Sequence, residues 1–350
     1  MNLMECHGNM RKKLFFTFIF LIIIVGLIYS LYNNKRNQLY TEKIYLMDTL
    51  VEIKVTSDHN AKNTVQKTFN IMEEWEKKLD RYNENSIIAE INSKGENGVY
   101  VSSELITFFQ KVVKYAKMTE GAFDPTIAPL IDLWGFGEGE NGVPEKAEIE
   151  QALKLIDYNN IKIDEKAQKI YLPKKQKIDL GAVAKGFIID KAYEFLKKEG
   201  LNNFFINAGG NIRVSGINKI ENRPWTIGIR KVRNNNEIYN NYILEITDGA
   251  IATSGDYERY FIKNKTRYSH LLDPRTGYSA RGIQGITIYA SDAFTADILS
   301  TAYFILGFDK AKKHIKRSTE IAGFIVRNGE IWYSEDFSEI FPKNKTRKSN

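Results

Sequence analysis

GIQGITIYASDAFTADILSTAYFIL, residues Gly282–Leu306, is the stretch on which the fold turns. Its first part, Gly282–Tyr289, alternates through Ile286 and Ile288 and predicts a strand. Its second part, from about Asp292 to Leu306, carries Ile298, Leu299, Ala302, Tyr303, Phe304, Ile305 and Leu306 on nearly every side. That pattern predicts a buried helix. Strands are expected just upstream at Phe204–Ile206, Trp225–Ile229 and Tyr242–Ile246, one after another with no helix between them. Further upstream, Ile44–Leu46 and Val51–Val55 alternate as a strand or hairpin. Val65, Phe69, Met72, Trp75 and Leu79 recur at helical spacing, and so do Leu105, Phe108, Phe109, Val112 and Ala116. Pro144 opens a short helix through Ile156. A hairpin is expected around Asp164–Gln168, a helix over Ala182–Lys198, a short helix over Lys310–Lys316 and a last hairpin at Asn328–Gly329. Strands and helices do not alternate as βαβ units. The expected fold is α+β, with mainly antiparallel sheets and packed helices in one globular body.

Composition bounds the function. The 350 residues are 43% apolar and 27% charged, an ordinary globular mixture. One cysteine excludes an internal disulfide framework and a zinc finger. Four scattered histidines exclude a His-rich metal cluster. The net charge of +7 comes from dispersed bases, so no nucleic-acid partner is expected. Near the N-terminus, Arg11, Lys12 and Lys13 precede an uncharged run from Leu14 to Tyr32, about the length of a bilayer-crossing helix. No A-x-A-like site or cysteine follows it. We therefore expect an uncleaved signal anchor rather than a cleaved signal peptide. The N-terminal bases put residues 1–13 in the cytoplasm, although Lys35 and Arg36 weaken that bias. Residues 33–42 then form a linker, 43–342 an extracytoplasmic body at the cell membrane, and 343–350 a basic tail.

Several groups can carry chemistry. Asp297 and Thr301 sit at i, i+4 within the apolar helix. A buried carboxylate is costly unless it is paired or holds a cation. Two oxygens one turn apart suit a hard cation such as Mg²⁺. Equally, Asp297 can pair with a base and Thr301 can bond its own helix. Ser269–Gly277 (SHLLDPRTG) sets His270, Asp273 and Arg275 around an Asp-Pro turn, as a proton acceptor and phosphate clamp or as a solvated turn. Asp179–Gly186 (DLGAVAKG) pairs a capping acid with small residues that admit a ligand to a helix start, or that simply pack tightly. It lacks P-loop spacing. In Asn207–Asn211 (NAGGN), Gly209 and Gly210 permit close backbone approach or a plain turn. Tyr82, in Leu79–Tyr82 (LDRY), can stack on a flat ring or pack at a helix end.

Taken in order, these pieces resemble the bacterial FAD:protein FMN transferases, the ApbE-like flavin transferases. The matching stretches are Met47–Thr49, Leu79–Asn92 with Ser86, Gly121–Thr126, Asp179–Gly186, Asn207–Asn211, Ala252–Gly255, His270–Gly277 and Ala296–Thr301. They span about residues 43 to 335. The family commonly has Met-Gly-Thr at the first stretch, where this chain has Met47-Asp48-Thr49.

The resemblance implies an enzyme that binds FAD and Mg²⁺, passes FMN to a threonine hydroxyl of another protein and releases AMP. Its acceptors are redox subunits bearing a Ser/Thr-Gly-Ala-Thr-like sequence. None occurs in this chain, so self-modification is not expected. Residue by residue, it implies metal ligation by Asp297, Thr301 and a main-chain carbonyl near Ala182. It makes His270 the base for the acceptor threonine, with Asp273 orienting it or binding metal-linked water. Tyr82 would stack on the isoalloxazine. Asp179, Lys185, Asn207, Gly209, Gly210, Thr253, Ser254 and Arg275 would contact the nucleotide. The same residues would serve a metal-dependent FAD pyrophosphatase, with water as nucleophile, or a tethered flavin-binding protein without turnover.

Overall fold

Val51, Ile53 and Val55 alternate along one strand and are fully buried on one face of a sheet, which sets the layer order of the molecule. The computed structural model describes residues 16–26, 37–57, 60–137 and 139–340, without the side chains of 235, 236 and 240. Eight strands form the main sheet: β1 (Gln38–Leu46), β2 (Thr49–Ser57), β3 (Phe204–Ala208), β4 (Asn211–Ser215), β5 (Asp248–Gly255), β6 (Gly285–Ala290), β7 (Ile321–Arg327) and β8 (Glu330–Tyr333). They lie in the sheet in chain order, and each neighbouring pair is antiparallel. This bears out the α+β, antiparallel expectation.

The helices are α1 (Lys62–Leu79), α2 (Ile87–Lys94), α3 (Ser103–Met118), α4 (Ala128–Trp134), α5 (Lys146–Leu153), α6 (Ala184–Lys198), α7 (Ala293–Leu306), α8 (Phe308–Arg317) and α9 (Glu335–Glu339). One face of the sheet is covered by α7, which lies on β5 and β6, with α6 beside it and α1 beyond. Trp75 of α1 meets Phe187 of α6 edge-on at 5.0 Å. On the other face, Phe205, Val214 and Phe324 pack against Trp225, Ile227 and Leu244 of a three-stranded sheet. A third cluster joins Trp134 of α4 and Ile149 of α5 to Leu272, beside the hairpin Tyr260–Lys263/Thr266–Ser269. Trp134 Nε1 donates to the Gly277 carbonyl at 2.9 Å, pinning the far end of the His270 loop.

α7 has firm ends. The Asp292 side chain accepts the Thr295 N–H at 2.8 Å, and Asp190 of α6 accepts those of Ala293 and Phe294 at 2.9 and 2.8 Å. Gly307 ends it with φ 82°. The β1–β2 connection is the two residues Met47 and Asp48, with φ 54° and 56°, as a tight primed turn requires. Asp48, at the position where the family commonly has glycine, therefore holds a left-handed backbone that aspartate tolerates.

Four expectations change. β1 begins at Gln38, inside the stretch expected as a linker. The helix expected from Ala182 starts at Ala184, and the strand expected from Gly282 starts at Gly285. The membrane-crossing run is not supported. Residues 16–26 are helical and exposed, the rest of Leu14–Tyr32 lies outside the described residues, and among the described residues no helix is long and apolar enough to cross a membrane. The tail 343–350 also lies outside the described residues.

Candidate active site

Asp297 and Thr301 stand one turn apart on α7, beside the start of α6. Asp297 is 5% exposed, and its Oδ2 accepts the Gly186 N–H at 2.8 Å. Gly186 is the third residue of α6, so its N–H has no acceptor inside the helix, and Asp297 satisfies it. The Ala182 carbonyl lies just before that helix start. Room for this contact comes from Gly186, because a Cβ there would stand 2.3 Å from the Ala293 carbonyl oxygen and 2.8 Å from Asp297 Cβ. Burial pushes the Asp297 carboxyl above the usual carboxylate range. The Lys185 ammonium, the Gly186 N–H and the Asn211 amide act against it. Among the described residues no base reaches Asp297 at ion-pair distance, so the paired alternative is not realised.

Thr301 does not bond its own helix. Ser300 takes that role by donating to the Asp297 carbonyl at 2.9 Å. Thr301 Oγ1 instead lies 3.2 Å from Ser254 Oγ on β5, and Ser254 lies 2.9 Å from Ser300 Oγ. Thr253 pairs with Thr287 on β6 at 2.8 Å. Ser254, Ser300 and Thr301 thus set three hydroxyls on the α7 side near the buried carboxylate, whereas Thr253 and Thr287 face the other side of the sheet. Among the described residues no group of three or more His, Cys, Asp or Glu is placed to hold a metal ion. Carboxylate, hydroxyl and carbonyl are all hard oxygen donors, and three of them leave room for water or phosphate oxygens. That donor set fits Mg²⁺.

The Asn207–Asn211 turn borders this pocket. Asn207 Oδ1 accepts the Gly210 N–H at 2.9 Å. Gly209 and Gly210 have φ 61° and 102°, and a Cβ on Gly209 would stand 2.5 Å from Thr49 Oγ1. The loop therefore packs on the β1–β2 turn and presents Asn211 to Asp297.

His270 comes to the site from the other side. Its Nδ1 lies 3.2 Å from the Arg259 carbonyl, which only accepts, so Nδ1 carries the proton and Nε2 keeps its lone pair. Burial, opposed by that hydrogen bond and joined by the nearby Arg259 and Lys185 charges, pushes the imidazole down to about 4. It is neutral at pH 7 and able to accept a proton. Lys185 acts electrostatically on both His270 and Asp297, which ties the two halves of the site together.

Asp273 makes no hydrogen bond with His270. Its carboxylate takes Arg275 Nε and Nη2, each at 2.8 Å, and the Arg275 N–H at 2.9 Å. Arg275 is thereby engaged inside the loop. Asp179 accepts the Gly181 N–H at 2.8 Å and meets Arg81 Nε at 2.6 Å. Arg81 also holds Asp132 at 2.6 Å and lies 4.3 Å from the Tyr82 ring centre. Tyr82 is 42% exposed, beside Gly137. The structure thus brings Asp297, Thr301, Ser254 and Asn211 together at the start of α6, with the Lys185 charge acting on both Asp297 and His270; Thr253 faces the other side of the sheet. Tyr82 and Asp179 form a second group through Arg81.

Arg81 and Arg259 escaped the sequence reading, which placed Asn211 in the cleft only as the end of NAGGN. Arg81 adjoins Tyr82 in the quoted LDRY. Arg259 acts through its carbonyl, which leaves no side-chain signal. Arg230, near Gly210 (a Cβ there would lie 3.1 Å from its Nη2), was likewise unmarked.

Comparison with known proteins adds the family. The ApbE family model matches residues 47–325. An FAD:protein FMN transferase of Haemophilus influenzae is 30% identical over 316 residues, covering 86% of this chain and 90% of that protein. One from Klebsiella pneumoniae is 29% identical over 299 residues, covering 84% and 92%. The crystal structure of the ApbE protein of Thermotoga maritima superposes with a TM-score of 0.80 at 35% identity, covering 87% of this chain and 99% of that one. The flavin transferase ApbE from Vibrio cholerae gives 0.78 at 25% identity, covering 87% and 100%.

Proposed function

This chain belongs to the ApbE family, and from that premise we propose that it transfers the FMN half of FAD to a threonine hydroxyl of an acceptor protein, releasing AMP. The observation that carries the proposal is the buried Asp297, one turn from Thr301 and bonded to the Gly186 N–H at the start of α6, with the Lys185 charge acting on both it and a neutral His270.

Splitting a pyrophosphate requires charge neutralisation and an aligned nucleophile. Asp297, Thr301 and the Ala182 carbonyl would hold Mg²⁺, which supplies the neutralisation when bound. Lys185 adds a fixed positive charge at the same place. His270 Nε2 takes the proton of the threonine hydroxyl as its oxygen bonds to the FMN phosphorus. The bond from that phosphorus to the AMP oxygen breaks, and AMP leaves with the electron pair. The Arg259 carbonyl fixes the ring tautomer this step needs. Asp273, locked to Arg275, stiffens the loop that carries His270. Tyr82 offers its ring to the isoalloxazine, and Asn207, Gly209, Gly210 and Ser254 line the nucleotide cleft. Large apolar side chains stand exposed over residues 16–26, Phe16 at 68% among them, which favours a membrane tether; the proposed extracytoplasmic placement of the body rests on Arg11, Lys12 and Lys13 alone.

The test mixes the purified body with FAD, Mg²⁺ and a redox subunit carrying a Ser/Thr-Gly-Ala-Thr-like sequence, then weighs that subunit. The expected result is a gain of one FMN less water on threonine, with AMP released. Asp297→Ala should abolish the metal-dependent part. AMP formation at the same rate without acceptor would favour hydrolysis instead, and undiminished transfer by Asp297→Ala would remove the metal assignment.

A further inference from the structure

We propose that a basic cleft beside the His270 loop docks an acidic segment of the acceptor polypeptide, a reading that rests on the transfer proposed above. The cleft encloses about 340 Å³, and Arg233, Lys265, Arg267, Arg281, Asp256 and Ser269 are among its lining residues. Four cations therefore face a single carboxylate among the described lining residues. That carboxylate is already taken. Arg233 donates to Asp256 Oδ2 at 2.5 Å and to Oδ1 at 3.2 Å. Arg267 donates to the Asp256 main-chain carbonyl at 3.2 Å and lies 3.7 Å from the centre of the Tyr260 ring. Lys265 and Arg281 are both exposed, and no carboxylate lies within ion-pair distance of either among the described residues. Charge of one sign gathered in a concave site draws anionic partners to it.

Position identifies the kind of partner. Ser269 lines the cleft, and the next residue is the proposed base. A threonine hydroxyl brought to His270 Nε2 arrives on a polypeptide that must spread over the adjoining surface. The hairpin that carries Arg267 and Ser269 also exposes Tyr260 and Ile262, at 42% and 62%. Arginine and tyrosine beside exposed apolar surface is the composition of protein interfaces. The guanidinium forks of Arg233 and Arg267 are engaged by Asp256 and Tyr260. What remains is the Lys265 ammonium on the hairpin turn and the Arg281 guanidinium on a separate loop, 5.6 Å from the Tyr268 ring centre, two cations on different elements that suit a string of acidic side chains better than one small anion.

The test compares wild type with Lys265→Asp/Arg281→Glu. Both positions are exposed, and aspartate tolerates the left-handed backbone of residue 265 (φ 60°). A fluorescent hexa-glutamate peptide is the probe. Wild type should bind it at least tenfold more tightly than the variant, the difference should vanish at high salt, and FAD affinity should be equal in both. In the transfer assay the variant should show a raised KM for the acceptor, with kcat and the KM for FAD unchanged. Equal peptide binding by the two proteins would overturn the proposal. So would displacement of the peptide by inorganic phosphate, which marks a small-anion site, or a changed FAD affinity, which assigns the cleft to the nucleotide. Peptide binding needs no turnover, so an absence of transfer by wild type would count against the enzyme reading alone.

Discussion

His270 owes its suitability as a base to one carbonyl. The Arg259 oxygen holds the proton on Nδ1, and enclosure by protein keeps the ring neutral down to a pH of about 4. The sign follows directly. The ordinary imidazole value is 6.5, so between about 4 and 6.5 the unfolded chain binds a proton that the folded chain refuses. His270 therefore lowers stability as pH falls through that window, and its base form is lost only near 4. NMR titration of the free protein should place the His270 midpoint near 4. His270→Gln should spare FAD binding, suppress transfer and flatten the acid loss of stability between 6.5 and 4. A midpoint near 6.5, or unchanged transfer, would shift the base role elsewhere. At this scale the sequence was legible where a polar residue broke an apolar pattern, as Asp297 and Thr301 do. It was silent on Arg259, whose contribution is a backbone atom, and on the Arg81 network, whose partners Asp132 and Asp179 lie far apart in the chain.

At the level of elements, the site depends on how closely α6 approaches α7. Gly186 lets the two backbones meet, and that contact brings its otherwise unbonded first-turn N–H to Asp297. Gly186→Ala should push the helices apart or distort both. Core overpacking of this kind typically costs about 1–3 kcal/mol. The expected outcome is a lowered denaturation midpoint together with loss of metal-dependent turnover. Wild-type turnover in a folded Gly186→Ala protein would show that the helix contact does not position Asp297. The longer helices α1, α3, α6 and α7 read well from sequence because their apolar residues recur over several turns, whereas the short α2, α4 and α9 went unseen because five to eight residues carry too little of a period. Strands β4 and β5 escaped because they are buried on both sides, whereas β7 and β8 are the arms of the hairpin expected at Asn328–Gly329. In β5, Ala250 and Ala252 join the helix-side core while Ile251 joins the opposite one, so alternation vanishes. The hairpin Tyr260–Ser269 escaped for another reason, since its strands are short and partly exposed.

For the whole molecule, a sheet whose strands follow chain order explains why distant motifs meet. Residues near 50, 210, 254 and 297 converge on one end of the sheet and the helix above it. The antiparallel α+β class followed from the succession of strands, whereas that strand order had no sequence signal of its own. If the body stands outside the membrane, protease added to intact cells should trim the C-terminal domain, and full protection would reverse the orientation. The central claim is that one pyrophosphate lies between Asp297 and His270. A crystal structure of the protein with FAD and Mg²⁺ tests it most directly. Electron density for a cation touching Asp297, Thr301 and the Ala182 carbonyl, with the FMN phosphorus facing His270 Nε2, is the predicted result. A pyrophosphate seated away from α7, in the basic cleft or elsewhere, would contradict it.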